Sequence, residues 1–201
     1  MPLSVERNDD DFQVPADGPR IIRQNIKRLF LGTNTSKAHF DNIGFAEVEI
    51  LTPHKIFIAG LPEIETNDAL VTARCIGWRY LLFAKRCPFA AAELSAMPNS
   101  QDVRFSRVVR NPGVSATFDI LNSLGNRISD DSYELRFLRM RDIDFSGLWF
   151  HSYTHRENDF LRVLPPAPQG MEAGAEYPRD QFLGKIRDVA NHVRESFLMS
   201  P

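Results

Sequence analysis

The sequence predicts a single α+β domain, built on a mostly antiparallel, twisted sheet of roughly six to eight strands and flanked by about three helices. Three observations carry that reading. Between Tyr133 and His151, YELRFLRMRDIDFSGLWFH, the odd positions Tyr133, Leu135, Phe137, Ile143, Phe145 and Trp149 are apolar, while Glu134, Arg136, Asp142 and Asp144 fall between them. This is the period-2 pattern of strands buried on one face. The alternation then slips at Arg139 and Arg141, where Leu138 and Met140 become the apolar positions. A slip between two clean runs marks an inserted residue, read here as two strands joined near Arg139–Asp142 in preference to one bulged strand. Thirdly, helical spacings and end signals appear at about residues 19–31, 112–124 and 178–197, and these helices are expected to cover one face of the sheet.

In chain order, residues 1–18 contain Asn8, Asp9, Asp10 and Asp11 with only Phe12 and Val14 to bury, and read as a flexible arm preceding a domain over 19–201. The first helix places Ile22, Ile26, Leu29 and Phe30 on one stripe, with Pro19 in the first turn and Gly32 past the end. Arg20, Arg23, Lys27 and Arg28 fill its outer face, as on an ordinary solvated helix. A loop with a helical turn near Lys37–Asp41 follows, and then Phe45–Leu51 alternates as a strand. Pro53 interrupts it, and Ile56–Ile58 continues either as the second arm of a hairpin or as a return segment. The stretch 67–94 admits two readings. One is a short helix starting at Thr66 or Asn67 with Asp68, then strands at about 76–83 and 89–95 around a turn at Lys85–Arg86. The rival is one long helix from Asn67 to Arg86, weakened by Gly77 and by apolar residues all round. Val103–Val109 reads as a strand, and Asn111, Pro112 and Gly125 bracket a helix with the stripe Val114, Phe118, Leu121 and Leu124. Phe160–Leu164 is a short strand, and Pro165, Pro166 and Pro168 enforce an extended spacer or sheet edge. The last helix opens at Pro178, with Phe182, Ile186, Val189, Val193 and Phe197 in line.

Composition narrows the function classes. At 201 residues and 43% hydrophobic content the chain can bury a core without disulfides or metals. A formal net charge of −2 provides no broad basic field, which disfavours nucleic acid as a partner. Nineteen of the 24 basic residues are arginine, which suits fixed pairing with carboxylates or stacking on rings, although genomic composition accounts for the bias more simply. Cys75 and Cys87 read as buried thiols, too few for a disulfide framework. Neither a leader pattern nor an unbroken apolar span is present, so a soluble cytoplasmic protein of bacterial style is expected.

Chemistry-bearing motifs are sparse. The chain has no G-x-S-x-G elbow and no glycine-rich phosphate loop. His151, His155, Glu157 and Asp159 offer four donor side chains within nine residues, the one constellation suited to a metal. Zinc is the ion it would take, although HSYTHREND lacks helical character and a solvated loop collects the same residues. No cofactor is otherwise expected. His39, His54 and His192 stand alone and read as surface or capped histidines. Arg136, Arg139 and Arg141, joined by Arg104, Arg107 and Arg110 if the strands are neighbours, form a candidate surface for an anion or an acidic partner. Pairing with Glu134, Asp142 and Asp144 is the competing arrangement, and the one favoured by the near-neutral net charge. Two functions are therefore expected. The first is a non-enzymatic binding or assembly module, contacting a protein or small ligand, with self-association through a sheet edge allowed. The alternative is a metal-dependent, hydrolase-like enzyme using the His151–Asp159 loop, marked by a cavity on which at least three ligands converge.

Overall fold

The computed structural model describes residues 13–31, 43–65, 68–97, 102–124 and 133–198. They form a mixed sheet of nine strands with five helices. The strands are β1 (Glu49–Ile50), β2 (His54–Ile58), β3 (Arg74–Ala84), β4 (Cys87–Ala96), β5 (Val103–Val109), β6 (Tyr133–Met140), β7 (Phe145–Ser152), β8 (Phe160–Val163) and β9 (Glu176–Pro178). The helices are α1 (Gly18–Leu31), α2 (Leu61–Glu65), α3 (Ala69–Thr72), α4 (Pro112–Leu124) and α5 (Arg179–Leu198). Across the sheet the order is β5-β4-β3-β2-β6-β7-β8-β9, with β1 also against β3. Every pairing is antiparallel except β2 with β6. Among the described residues no helix is long and apolar enough to cross a membrane.

The Tyr133–His151 stretch forms two antiparallel strands, β6 and β7, joined by a short 3-10 turn at Arg141–Ile143. Asp144 closes that turn in the left-handed conformation at φ 51°, which a short polar side chain tolerates. Residues 74–96 form the hairpin of β3 and β4, not a long helix. Its two-residue connection has Lys85 and Arg86 both at positive φ, 52° and 65°, the turn whose twist matches that of the flanking strands. The helix start at Asp68 survives as one turn: the Asp68 carboxylate accepts from the Leu70 and Val71 N–H groups, and the chain then enters β3.

Several expectations are corrected. The helices cover both faces. Ile22 and Ile26 of α1 pack on Trp78, Tyr80, Leu82, Ala90, Ala92 and Leu94, whereas Val114 of α4 meets Leu81, Phe83 and Ala91 on the opposite face. Trp78 is paired with Lys55, whose alternate neighbour Phe57 belongs to the cluster under α5, so α1 and α5 share a face. The run Ala90–Ala92 is what lets helices approach β4 from both sides, since successive side chains point to opposite faces. Phe45–Leu51 is not a full strand, because Glu47 and Val48 donate their N–H groups to Gly44 and Phe45 in a 3-10 turn. Only Glu49 and Ile50 join the ladder. β1 and β2 make no hairpin: both run along the same edge of β3, with Ile50 opposite Leu82 and His54 opposite Arg79. The step between them holds Pro53, which has no N–H to give. The Pro165–Pro168 segment is no free spacer. Leu164 donates to the Ser146 carbonyl, and Ala167 and Met171 pack into the core beneath α5. The chain then adds β9, which ends at Pro178, so α5 begins one residue later than expected.

Cys87 is exposed and Cys75 half-buried, and both are free thiols. They sit at opposite ends of the paired strands β3 and β4, Cys75 opposite Phe57 and Cys87 opposite Ala84, and the exposure of Cys87 corrects its reading as a buried thiol. The expectations for residues 1–12, for the turn at Lys37–Asp41 and for His39 fall outside the described residues, as does the side chain of Phe197.

Gly77 is the position where the sheet depends on a missing side chain. It sits at a bulge opposite β2 with φ 155°, and a Cβ there would lie 2.0 Å from the Leu94 carbonyl oxygen. Backbone in that place cannot yield as a flexible side chain would. Gly77→Ala is expected to destabilise the protein by about 3 kcal/mol in urea unfolding. Gly184→Ala, in α5 with nothing within 4 Å of the new methyl, should stabilise by up to about 1 kcal/mol. Equal midpoints for the two variants would contradict this account of the bulge.

Candidate functional site

On the face covered by α4, adjacent strands bring Arg107 of β5, Glu93 of β4, Arg79 of β3 and His54 of β2 into one row. Glu93 sits in the apolar run AAAELSA and Arg79 in GWRYLLF, and each is almost wholly buried, at 3% and 1% exposure. Burial of a charge is tolerated only when it is paired. Glu93 supplies that pairing for three guanidinium groups. Its Oε1 accepts from Arg79 Nη1 at 3.0 Å and from Arg139 Nη2 at 2.6 Å, and its Oε2 accepts from Arg107 Nε at 2.8 Å. Arg139 comes from the far end of β6, three strands away. The ring of Phe137 supports it, with Arg79 4.2 Å and Arg139 5.1 Å from the ring centroid.

Three cations around one carboxylate leave an excess of two positive charges. Burial acts against the charge on Glu93, but the hydrogen bond and charge of Arg139, with those of Arg79 and Arg107, outweigh it and hold the carboxyl below its ordinary value. Burial also pulls Arg79 down to about 10, against the attraction of Glu93. His54 is pushed down to about 3, first by burial and then by the Arg79 charge, with Glu93 opposing. The expectation of a surface histidine is therefore corrected: His54 is a neutral core imidazole, and its Nε2 has no hydrogen-bond partner among the described residues.

The cluster opens to solvent at one side. A cavity of about 100 Å³ is bordered by Glu93, Ser95, Ser106, Arg107, Arg139 and Arg141. Arg139 and Arg141 also border a larger hollow of about 1110 Å³, between the β6–β7 turn, residues 165–169 and the last turns of α5. Arg107 is nearly half exposed, and Arg141 is exposed with no ion pair among the described residues. Arg104 lies on the same face, because a bulge opposite Glu93 and Leu94 puts it in register with Ser95.

Of the arginines singled out from sequence, Arg139 and Arg141 line this cleft and Arg136 does not. Arg136 has the opposite parity and points to the other face, where its guanidinium lies 4.5 Å from the Phe57 centroid and 4.7 Å from that of Trp149. There it pairs with Glu134, which also binds Lys55. The expected pairing of Arg139 with Asp142 or Asp144 is replaced by Glu93, and Asp142 instead accepts from the Leu61 N–H.

The four residues of the loop candidate separate into two pairs. Asp159 is buried, its Oδ2 accepting from Trp149 Nε1 at 2.8 Å and lying 3.0 Å from His151 Nδ1, while its Oδ1 accepts from the Ser152 N–H at 2.9 Å. Arg179, held by Asp68, approaches the same carboxylate at 4.0 Å. His155 and Glu157 lie outside, exposed, 3.5 Å from each other. Among the described residues no three His, Cys, Asp or Glu side chains come together as a metal site would need. No family model, curated protein or solved structure matches this chain.

Glu93 and Arg79 were not singled out from sequence and His54 was read as a surface or capped histidine, although a lone ionisable residue inside an apolar strand was the available sign. Two outcomes are expected. Folded His54 refuses a proton down to about pH 3, whereas the unfolded chain accepts one near 6.5, so stability falls as pH drops below 6.5. Between pH 7.5 and 5.5 the loss is about 1 kcal/mol, above the range in which Glu93 titrates. Urea unfolding of His54→Phe should lack this component, and an unchanged difference between the two pH values would refute it. Asp159→Ala strands the Trp149 and Ser152 N–H groups in the interior and should cost about 3 kcal/mol. A cost within the range of a surface substitution would show that water replaces the carboxylate.

Proposed function

We propose that the chain is a binding module that receives the anionic group of a ligand, a phosphate or carboxylate, in the cleft bordered by Arg107, Arg139 and Arg141. The supporting observation is the charge imbalance: three guanidinium groups converge on one carboxylate beside an open cavity large enough for a small oxyanion. Planar forks of this kind favour oxyanions, because each presents several N–H donors in fixed geometry. Arg107 and Arg141 face solvent, so an incoming anion meets cations whose remaining donors are accessible. Ser95 and Ser106 on the same wall supply hydroxyl donors that would help fix its orientation.

Calorimetric titration of the full chain with inorganic phosphate and with pyrophosphate tests this reading. Saturable binding that weakens as potassium chloride is raised is the expected result. Arg107→Ala and Arg139→Ala should each lower the affinity about tenfold or more, while Arg23→Ala, on the exposed face of α1, should leave it unchanged. Titrations without saturation, or equal losses in all three variants, would remove the cleft as an anion site.

A further inference from the structure

We infer that the outer edge of β5 is a docking site for an extended segment of a partner protein in which acidic and apolar side chains alternate. This rests on the anion-binding role proposed for the arginine cleft: the carboxylate that enters it belongs to a strand added beside β5. β5 ends the sheet, with β4 as its strand neighbour. Among the described residues, no backbone hydrogen bond joins Val103–Val109 to any segment but β4. A strand paired on one side leaves its alternate N–H and C=O groups pointing outward. At seven residues β5 offers a long row of them, which is the template that strand addition uses. The opposite end of the sheet, β9, has only three residues and gives far less to pair with.

The side chains of β5 define what the added strand must carry. Val103, Phe105 and Val108 lie opposite Ala96, Leu94 and Ala92, and pack against the cluster beneath α1. Arg104 and Arg107 lie opposite Ser95 and Glu93 on the other face, and both are exposed. Because the bulge in β5 falls between them, the two arginines take successive positions on that face. A strand alongside therefore meets them with Asp or Glu at two positions, and the residue between turns to the α1 face, where an apolar side chain extends the row of Leu94 and Phe105. Charge selects this occupant over a second copy of the chain. Arg104 has no ion pair among the described residues, and Arg107 gives its Nε to a carboxylate already shared with Arg79 and Arg139. Another β5 would bring more arginines to the same edge, which is unfavourable, whereas incoming carboxylates offset the charge that Glu93 leaves over.

The probe is a short, capped, fluorescently labelled peptide alternating glutamate and valine, titrated into the full chain by anisotropy. Two altered peptides separate charge from backbone pairing: one has lysine in place of glutamate, and the other has N-methyl groups in place of the backbone N–H groups. The glutamate peptide is expected to saturate, and both altered peptides to bind at least about tenfold more weakly. Arg104→Ala, at an exposed position outside the cleft, should lower affinity for the glutamate peptide about fivefold and leave that for inorganic phosphate unchanged. Hydrogen exchange should show outward-facing β5 amides that exchange quickly in the chain alone and become protected as the peptide saturates. The inference is overturned if the glutamate peptide does not saturate, if either altered peptide matches it, or if Arg104→Ala binds it undiminished. It is also overturned if the chain alone sediments as a dimer with those amides protected, which assigns the edge to a second copy. Phosphate binding without peptide binding removes the added strand and keeps the cleft, whereas loss of both removes the cleft as well.

Discussion

A single buried carboxylate, Glu93, ties together strands that are far apart in the chain. Through Arg107, Arg79 and Arg139 it links β4 to β5, to β3 and to the end of β6. The backbone ladder already joins neighbouring strands, but the Arg139 bond spans two intervening strands and fixes how β6 lies relative to the β3–β4 hairpin. The rest of this face follows from that anchor. Phe137 lies beneath two guanidinium groups, and His54 stays neutral beside Arg79. Since the pairing leaves two charges over, the same group that orders the sheet also creates its most polarised opening.

The opposite face solves a related problem with different residues. Arg136 is buried there between Phe57 and Trp149 and neutralised by Glu134, and farther along Asp159 gathers the Trp149 indole, His151 and the Ser152 backbone. Both faces thus combine helix-covered apolar patches with paired charges. Where helices cover the sheet its arginines have no solvent to face, so Arg79, Arg136 and Arg139 are each stacked on a ring and bound to a carboxylate.

Much of the architecture was legible because its cues are local. Two strands joined by a turn were read correctly, but the slip at Leu138–Met140 is no inserted residue: β6 pairs with β7 without a break through Met140, and both parities are apolar because both faces are covered. Pro112 and the stripe Val114, Leu121 and Leu124, which are local cues, located α4. The short stretch at Phe45–Leu51 misled: its alternation is real, but a local 3-10 turn uses the N–H groups that a ladder would need. β9 left no trace, because three residues, Glu-Tyr-Pro, make too short a pattern to read. Of the candidate site, Arg139 and Arg141 were legible as a basic cluster, yet the spacing that joined them to Arg136 hid the fact that residues of opposite parity point to opposite faces.

What the sequence by itself determined is the kind and order of the elements, since periodicity, turn residues and helix ends act over a few neighbouring positions. Only the tertiary structure decided that Glu93 would meet Arg139 and that helices would cover both faces. Those outcomes depend on which strands become neighbours and in what register, and contacts of that range are set by the packing of the whole sheet. No segment carries that information alone.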